Sequence, residues 1–436
     1  MDACRADKFS CYGFERETTP RIDALAREPD STIFRRHYVQ SNWTKPSASS
    51  LFTGLFVHQH GVTVGQRPLP PLAPGKGESR RFATQMFDTR FTTLAELLRD
   101  LGFATFGIGM SDHLSRKYGF AQGFGEYDMP LPLDDVGRVN TFIDRVRARP
   151  GRFFGYLHLL ACHNPFPQST RDPEYLRRYG FEYDEPALNA TGIDFTNVAG
   201  REMLRTGRAL LSDNDVRFLH LIYEAQLRSA DQQLIGPLLD GLRAVGRYDH
   251  TLILITADHG EELYDHGGYA HGHALWEELI HVPLIVKFPK GRRPKSVDRE
   301  VTALSRSIDL LPSLVKFGGG AVPAGLPGQV IFQGNFPSFA LAEMAAALTT
   351  GEVEEWALIR GQQKLIVGLK QTRLFDLASD PKEQRNLAST RPGDVQSGRR
   401  FVGALAAAGA GVAPKQVETE LTPEAMERLR ALGYIH

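Results

Sequence analysis

The chain has little cysteine, no surplus of charge and no long apolar run. Its 436 residues include three cysteines, Cys4, Cys11 and Cys162, an odd number without a CxxC pair, which argues against a disulfide framework and a thiolate zinc cluster. Lysine plus arginine matches aspartate plus glutamate at 51 each, so no excess of positive charge invites a polyanion, and nucleic acid is not an expected partner. No stretch approaches the roughly 20 consecutive apolar residues that cross a bilayer. No basic segment followed by an apolar one opens the chain, so as written it is expected in the cytosol. Internal repeats and low-complexity tracts are lacking as well. What remains, 42% hydrophobic and 23% charged residues, suits one large α/β domain with a smaller one beside it.

Regular elements alternate along the chain. FTTLAELLRDL, from Phe91 to Leu101, carries apolar residues at helical spacing, and FATFGIG after it reads as a strand. Arg138 to Arg149 reads as a helix, Arg152 to Leu160 as a buried strand, Asp215 to Val245 as one or two helices and Thr251 to Thr256 (TLILIT) as a strand. A strand over Val282 to Phe288 and a helix over Ser307 to Phe317 continue the rhythm, which predicts a mostly parallel sheet with helices on both faces. The polar stretch from Pro165 to Asp213 reads as an insertion or lid, and GGGAVPAGLPG, from Gly318 to Gly328, as a domain boundary. Beyond it, ALIRG, KLIVGL and TRLFDL predict a small antiparallel subdomain, and Leu421 to Tyr434 a closing helix.

Four segments carry chemistry. Asp258 and His259 directly follow the TLILIT strand, and in open α/β sheets ligands gather at the carboxyl ends of strands, so carboxylate and imidazole there are placed to grip a metal ion. His266, His271 and His273 lie in the same glycine-broken loop. In SNWTKPSASSLFTG, Thr44 precedes Pro46 at the start of a candidate helix, where it is either an ordinary N-cap or a hydroxyl facing backbone N–H groups that stabilise an oxyanion. His158 and His163, in YLHLLACHNPF, lie past another strand end, suited to hold a substrate oxygen or protonate a leaving group, or simply to pack. Asp2 stands so near the terminus that by itself it reads as a solvated group.

Taken in order, DACRADKFSCYGFERETTPRIDALA, WTKPSASSLFTGLFVHQHGV, HLLACHNPF, ITADHGEELYDHGGYAHGHALWEELIHVPLIV and LFDLASDPKEQRNLA resemble the sulfatase family of the alkaline-phosphatase superfamily. The resemblance implies an α/β, alkaline-phosphatase-like sandwich around a mostly parallel central sheet. It places the catalytic domain at 1–320, interrupted by the insertion at 165–213, and a small antiparallel subdomain with the terminal helix at 329–436. It also implies a metal-dependent site for sulfate or phosphate esters: Asp2, Thr44, Asp258 and His259 as metal ligands, Thr44 also as nucleophile, and His163 and His271 as groups on the ester's oxygens. His113, His273, Lys45 and Arg5 are weaker candidates for the substrate pocket.

Three departures shape the expected chemistry. Sulfatases proper carry Cys or Ser in a C/S-x-P-x-R motif that is converted to formylglycine, whereas this chain has Thr44, Lys45, Pro46, Ser47 and Ala48. Threonine's methyl group prevents oxidation to an aldehyde, so a covalent ester must be cleared by a second in-line attack, which favours phosphorus over sulfur. Ala3 stands where many relatives have a second aspartate, and the reduced carboxylate count suits one Mn²⁺ or Zn²⁺ better than a Ca²⁺ cage. Relatives also have an apolar strand immediately before the first metal aspartate. Its absence here points either to a start codon assigned too late, in which case an export signal could be lost with the strand, or to a damaged relative. The expected function is therefore hydrolysis of phosphate, or alternatively sulfate, esters of small molecules, glycans or lipid-type alcohols. Two further functions are compatible with the same residues: transfer of the group to an alcohol acceptor, and ligand binding by an inactive protein of the same fold. Oligomeric state is not legible.

Overall fold

The computed structural model describes residues 1–65, 67–69, 81–109, 112–128, 134–164, 166, 171–180, 200, 203–204, 210–345, 353–369, 371–409, 416–420, 423 and 426. The terminal helix expected at 421–434 and most of the insertion at 165–213 lie outside these residues. Among them, no helix is long and apolar enough to cross a membrane.

The fold is a mixed α/β architecture whose central strands form two hydrogen-bonded groups. One group orders Glu300–Arg306, Ser31–Tyr38, Leu284–Lys287 and Ile253–Thr256; the other orders Glu126–Asp128, Ala104–Ile108 and Phe153–Leu157. Pairing is parallel throughout the second group and between Ser31–Tyr38 and Glu300–Arg306, while Leu284–Lys287 runs against both its neighbours. The apolar runs read from the sequence become strands because a central sheet covered by helices buries both faces, as it does at the fully buried Leu284–Lys287 strand. The Phe153–Leu157 strand is an exception, since all five residues are only half-buried.

The Ile253–Thr256 and Phe153–Leu157 edges pair with no strand on their outer sides among the described residues. Met1 and Asp2 connect the two groups at their carboxyl ends. The Met1 ammonium donates to Thr256 O at 2.9 Å, Asp2 N donates to Leu159 O at 2.8 Å, and Cys162 N donates to Asp2 O at 3.3 Å. The next residue, Ala3, takes a left-handed φ of 56°, a conformation that costs energy unless its surroundings enforce it. Here Tyr223, on the helix Asp213–Ala230, enforces it: its hydroxyl donates to Ala3 O and accepts from Arg5 N, both at 2.9 Å.

A separate antiparallel sheet follows in chain order: Ala340–Ala345, Val353–Arg360, Gln363–Gly368 and Thr372–Asp376. It shares the main apolar core through Ala342, Ile359 and Ile366, and a polar cluster joins it as well. Lys364 Nζ lies 3.0 Å from Glu277 Oε1 and 2.9 Å from Glu383 Oε1, and the Tyr38 hydroxyl donates to Glu277 at 3.0 Å. A fully buried lysine is stable when paired with charge in this way.

Two histidines in this framework are buried as neutral rings. His60 Nδ1 accepts from Val62 N at 3.0 Å, and Nε2 lies 3.0 Å from Ser50 Oγ. His37 sits between Ser305 and Ser307. Burial pushes each ring's pKa down to about 3. Below the unfolded value near 6.5 the unfolded chain binds protons that the folded chain refuses. Stability should therefore be complete above about pH 6.5 and fall as pH drops toward 3, by up to about 1.4 kcal/mol per pH unit for each ring. Urea midpoints across this range should show the decline, with a shallower slope in His60→Gln; an unchanged slope in that variant would contradict the assignment.

Candidate metal centre and active site

Four segments meet at the carboxyl ends of the central strands. Met1 and Asp2 lie between the two strand groups, His158 and His163 follow Phe153–Leu157, and Asp258, His259 and His271 follow Ile253–Thr256. Thr44 opens the helix Thr44–Thr53, which comes after the Ser31–Tyr38 strand. That helix is built from TKPSASSLFT, and nine of its ten residues are buried. Its small serines and alanine let the surroundings close on it, Ser49 Oγ and Thr53 Oγ1 donate back along the helix, and Gly54 ends it at φ 69°. Thr44 is the first helical residue and Trp43 is the cap, so Thr44 is not the N-cap. The backbone of Trp43 is extended and the helical turn begins one residue later.

His259 is the pivot. Its Nδ1 lies 2.8 Å from Gly260 O, which makes Nδ1 the protonated nitrogen and directs the Nε2 lone pair inward. Around Nε2 lie Asp2 Oδ1 at 3.2 Å, Thr44 Oγ1 at 3.3 Å and Asp258 Oδ2 at 3.6 Å. His158 Nε2 lies 3.6 Å from both Asp2 Oδ2 and Asp258 Oδ2. Asp2, Thr44 and His259 are fully buried. Both Asp2 carboxylate oxygens, Asp258 Oδ2 and both His158 ring nitrogens are buried without a hydrogen-bond partner among the described residues.

Such an arrangement is costly as bare protein. A buried carboxylate needs hydrogen bonds or opposite charge, and here two point oxygens at one another and at His259 Nε2, which must either carry a proton or face a cation. A cation resolves the conflict, because oxygen and nitrogen ligands bound to one divalent ion stand about 3 Å apart when each bond is about 2.0–2.2 Å. The donor set fits: Asp2, His158 and Asp258 offer ligand atoms within 4.8 Å of one another, and His259 Nε2 and Thr44 Oγ1 border the same space. The titration behaviour agrees in direction. Burial lowers the affinity of the His259 ring for a proton, yet Asp258 and Asp2 raise its pKa to about 10. Burial raises the Asp2 carboxyl, but His163, His259 and His158 hold it well below the usual carboxylate range. The bare site demands positive charge.

His163 and His271 border this centre, with ring centroids 4.9 Å apart, and the His271 ring lies 4.3 Å from that of His259. The other candidate residues make contacts of their own. Arg5 pairs with Asp7 at 2.8 Å and Asp265 at 2.7 Å, two carboxylates that match its guanidinium. Lys45 donates to Thr84 Oγ1 at 2.6 Å and Val64 O at 3.2 Å, and burial pushes its ammonium down to about 7. His113 stands edge-on to Trp43. His273 is on the exposed side, 2.7 Å from Glu262 Oε2, since Glu262 and Glu261 project from opposite faces of the chain. His158 is the member the sequence undervalued: a histidine continuing an apolar strand reads as core until Asp2 and Asp258 are seen beside it.

A family model described as Sulfatase matches residues 1–320. The chain belongs to the sulfatase family. Sulfatase YidJ of Escherichia coli, itself described as uncharacterised, is 25% identical over 444 residues, covering 91% of this chain and 83% of that protein. PehA of Trinickia caryophylli, described as a multifunctional alkaline phosphatase superfamily protein, is 26% identical over 376 residues, covering 71% of this chain and 70% of that protein. The fold matches the phosphonate monoester hydrolase of Agrobacterium radiobacter with a TM-score of 0.69 and 19% identity, over 96% of this chain and 95% of that one. As a sulfatase-family member the chain is a hydrolase of sulfate or phosphate esters, and its carboxylate and imidazole groups can bind the metal on which such enzymes depend.

Asp2→Asn and Asp258→Asn each exchange a carboxylate for a neutral amide in the space between His259 and His158. Metal analysis of the purified proteins should find divalent metal affinity reduced by about 100-fold or more, at or beyond the top of the range typical of outer-shell partners. Undiminished metal content in both variants would remove the site.

Proposed function

We propose that this sulfatase-family hydrolase acts on phosphorus esters in preference to sulfate esters, through a covalent intermediate on Thr44. The reading is carried by the position of Thr44 Oγ1, fully buried at the first turn of a helix and 3.3 Å from His259 Nε2. Asp2, Asp258 and His259 would hold one divalent ion, with Mn²⁺ or Zn²⁺ suiting the mixed oxygen and nitrogen set and Ca²⁺ less so. When bound, such an ion supplies positive charge that lowers the cost of deprotonating a nearby hydroxyl and of charge building on ester oxygens.

The chain's own groups then account for the remaining steps. The helix start places the positive end of its dipole at the space before Thr44, where an anionic ester group gains from it. Thr44 Oγ1 releases its proton to solvent and attacks phosphorus in line, the bond to the leaving alcohol breaks, and the departing oxygen takes a proton from His163 or His271, which regains one from solvent. Water then attacks the phosphothreonine in a second in-line displacement, which restores the Thr44 hydroxyl. The threonine argues against the sulfate route because it cannot become an aldehyde hydrate able to expel sulfate with its second hydroxyl. Ala48, in place of that motif's arginine, removes the usual charged neighbour of such a group. Phosphonate monoesters, phosphodiesters and phosphomonoesters of small alcohols or glycans are the proposed substrate classes.

A panel of aryl phosphate mono- and diesters, phosphonate monoesters and sulfates, assayed with added Mn²⁺, Zn²⁺ or Ca²⁺, tests this reading. kcat/KM should be highest on a phosphorus ester, and Thr44→Ala should lower kcat by about 1,000-fold or more with metal content kept. Preference for a sulfate ester, or an active Thr44→Ala variant, would overturn it.

A further inference from the structure

Glu261 lies outside the candidate ligand set, yet its carboxylate is fully buried beside it. Oε1 is 2.8 Å from His271 Nδ1. Oε2 accepts from Asn164 Nδ2 at 3.0 Å and from Asn164 N at 3.3 Å. Asn164 O in turn accepts from His163 Nδ1. One carboxylate thus anchors His271 directly and His163 through a single intervening residue. Its backbone is fixed too, since Glu261 N donates to Glu278 O at 3.1 Å and Gly260 N donates to Leu279 O at 2.9 Å. A Cβ on Gly260 would come within 1.8 Å of Glu278 O, so only glycine permits this approach.

We propose that Glu261 is a positioning residue that sets the tautomer and orientation of both active-site histidines, keeping Nε2 of each directed at the ester's leaving oxygen. The assignment rests on the reading of His163 and His271 as leaving-group residues. The network requires a carboxylate specifically, because both oxygens act as acceptors at once: one for the His271 Nδ1–H, the other for two donors from Asn164. A glutamine has a single accepting oxygen. If that oxygen stays with Asn164, the amide NH₂ faces His271 Nδ1 and reverses the ring, so that Nδ1 accepts and the proton moves to Nε2. A ring in that state is a neutral donor: it can still hydrogen-bond to an ester oxygen, but giving up its Nε2 proton would leave an imidazolate. The carboxylate instead supports an imidazolium that can transfer its proton to the departing alkoxide and become neutral.

This arrangement makes the loss depend on the leaving group. In Glu261→Gln, kcat for esters of poorly acidic alcohols should fall by about 100-fold, whereas nitrophenyl esters, whose leaving group needs no proton, should change less than about threefold and KM should stay close to the parent value. Glu261→Asp, which keeps two acceptors on a shorter stem, should recover part of the loss. Equal losses on both leaving-group classes, or no loss on either, would overturn the proposal. The ester used is whichever class the parent enzyme hydrolyses, sulfate included, so a wrong choice of phosphorus over sulfur is recognised separately in the parent's own profile. Nitrogen-15 NMR of the histidine rings gives a readout independent of turnover: His271 Nδ1 should carry a proton in the parent and none in Glu261→Gln. A bare Nδ1 in the parent would contradict the assignment even if the chain hydrolysed nothing.

Discussion

Three buried carboxylate oxygens without a hydrogen-bond partner among the described residues, both of Asp2 and Oδ2 of Asp258, define this molecule. Asp2 and Asp258 converge from positions more than 250 residues apart on Nε2 of His259, and the surrounding architecture holds them there although neither carboxylate is fully satisfied among the described residues. Proteins place charges this way where an ion is to be bound. The central strands bring their carboxyl ends to one place, the opening residues are pinned between Thr256 and Leu159, and Tyr223 enforces the turn at Ala3. The energy stored in the unpaired acids is offset by the surrounding core.

The C-terminal sheet belongs to the same argument. Lys364 lies on its Gln363–Gly368 strand, Glu277 on the segment that follows the His271 loop, and Glu383 in the LFDLASDPKEQRNLA motif. Their buried charges join the sheet to the chain just after the active-site histidines. Glu383 also accepts from Glu277 N at 2.6 Å and takes a left-handed φ of 52° to do so. The motif, chemically silent in the sequence, is a clamp on the loop that carries His271.

Much of this was legible beforehand because strong local patterns coincide with the tertiary solution. TLILIT, FATFGIG and the three strand runs near the end became strands. Ser31–Tyr38 was not anticipated, although it lies inside the sheet, because STIFRRHY hides its apolar side chains among arginines and a histidine. The structure explains those residues: Arg35 reaches Cys11 O and Glu300, Arg36 reaches Gly361 O, and His37 lies between two serines. In the site, Asp258 and His259 announced themselves by following a strand. Asp2 and His158 gain meaning only through partners about 100 or more positions away in the chain, a separation at which spacing carries no signal, and Glu261 joins its neighbour His271 to the equally distant Asn164. Motif order, and with it the family resemblance, supplied for Asp2 what local chemistry could not.

Crystals grown with Mn²⁺ and measured at its absorption edge would test the central claim most directly. The account predicts one anomalous peak bounded by Asp2, Asp258 and His259, with metal–ligand distances of about 2.0–2.2 Å and the Thr44 hydroxyl beside it. An ordered centre with no peak there, or a peak held by other residues while the protein turns over an ester, would contradict it.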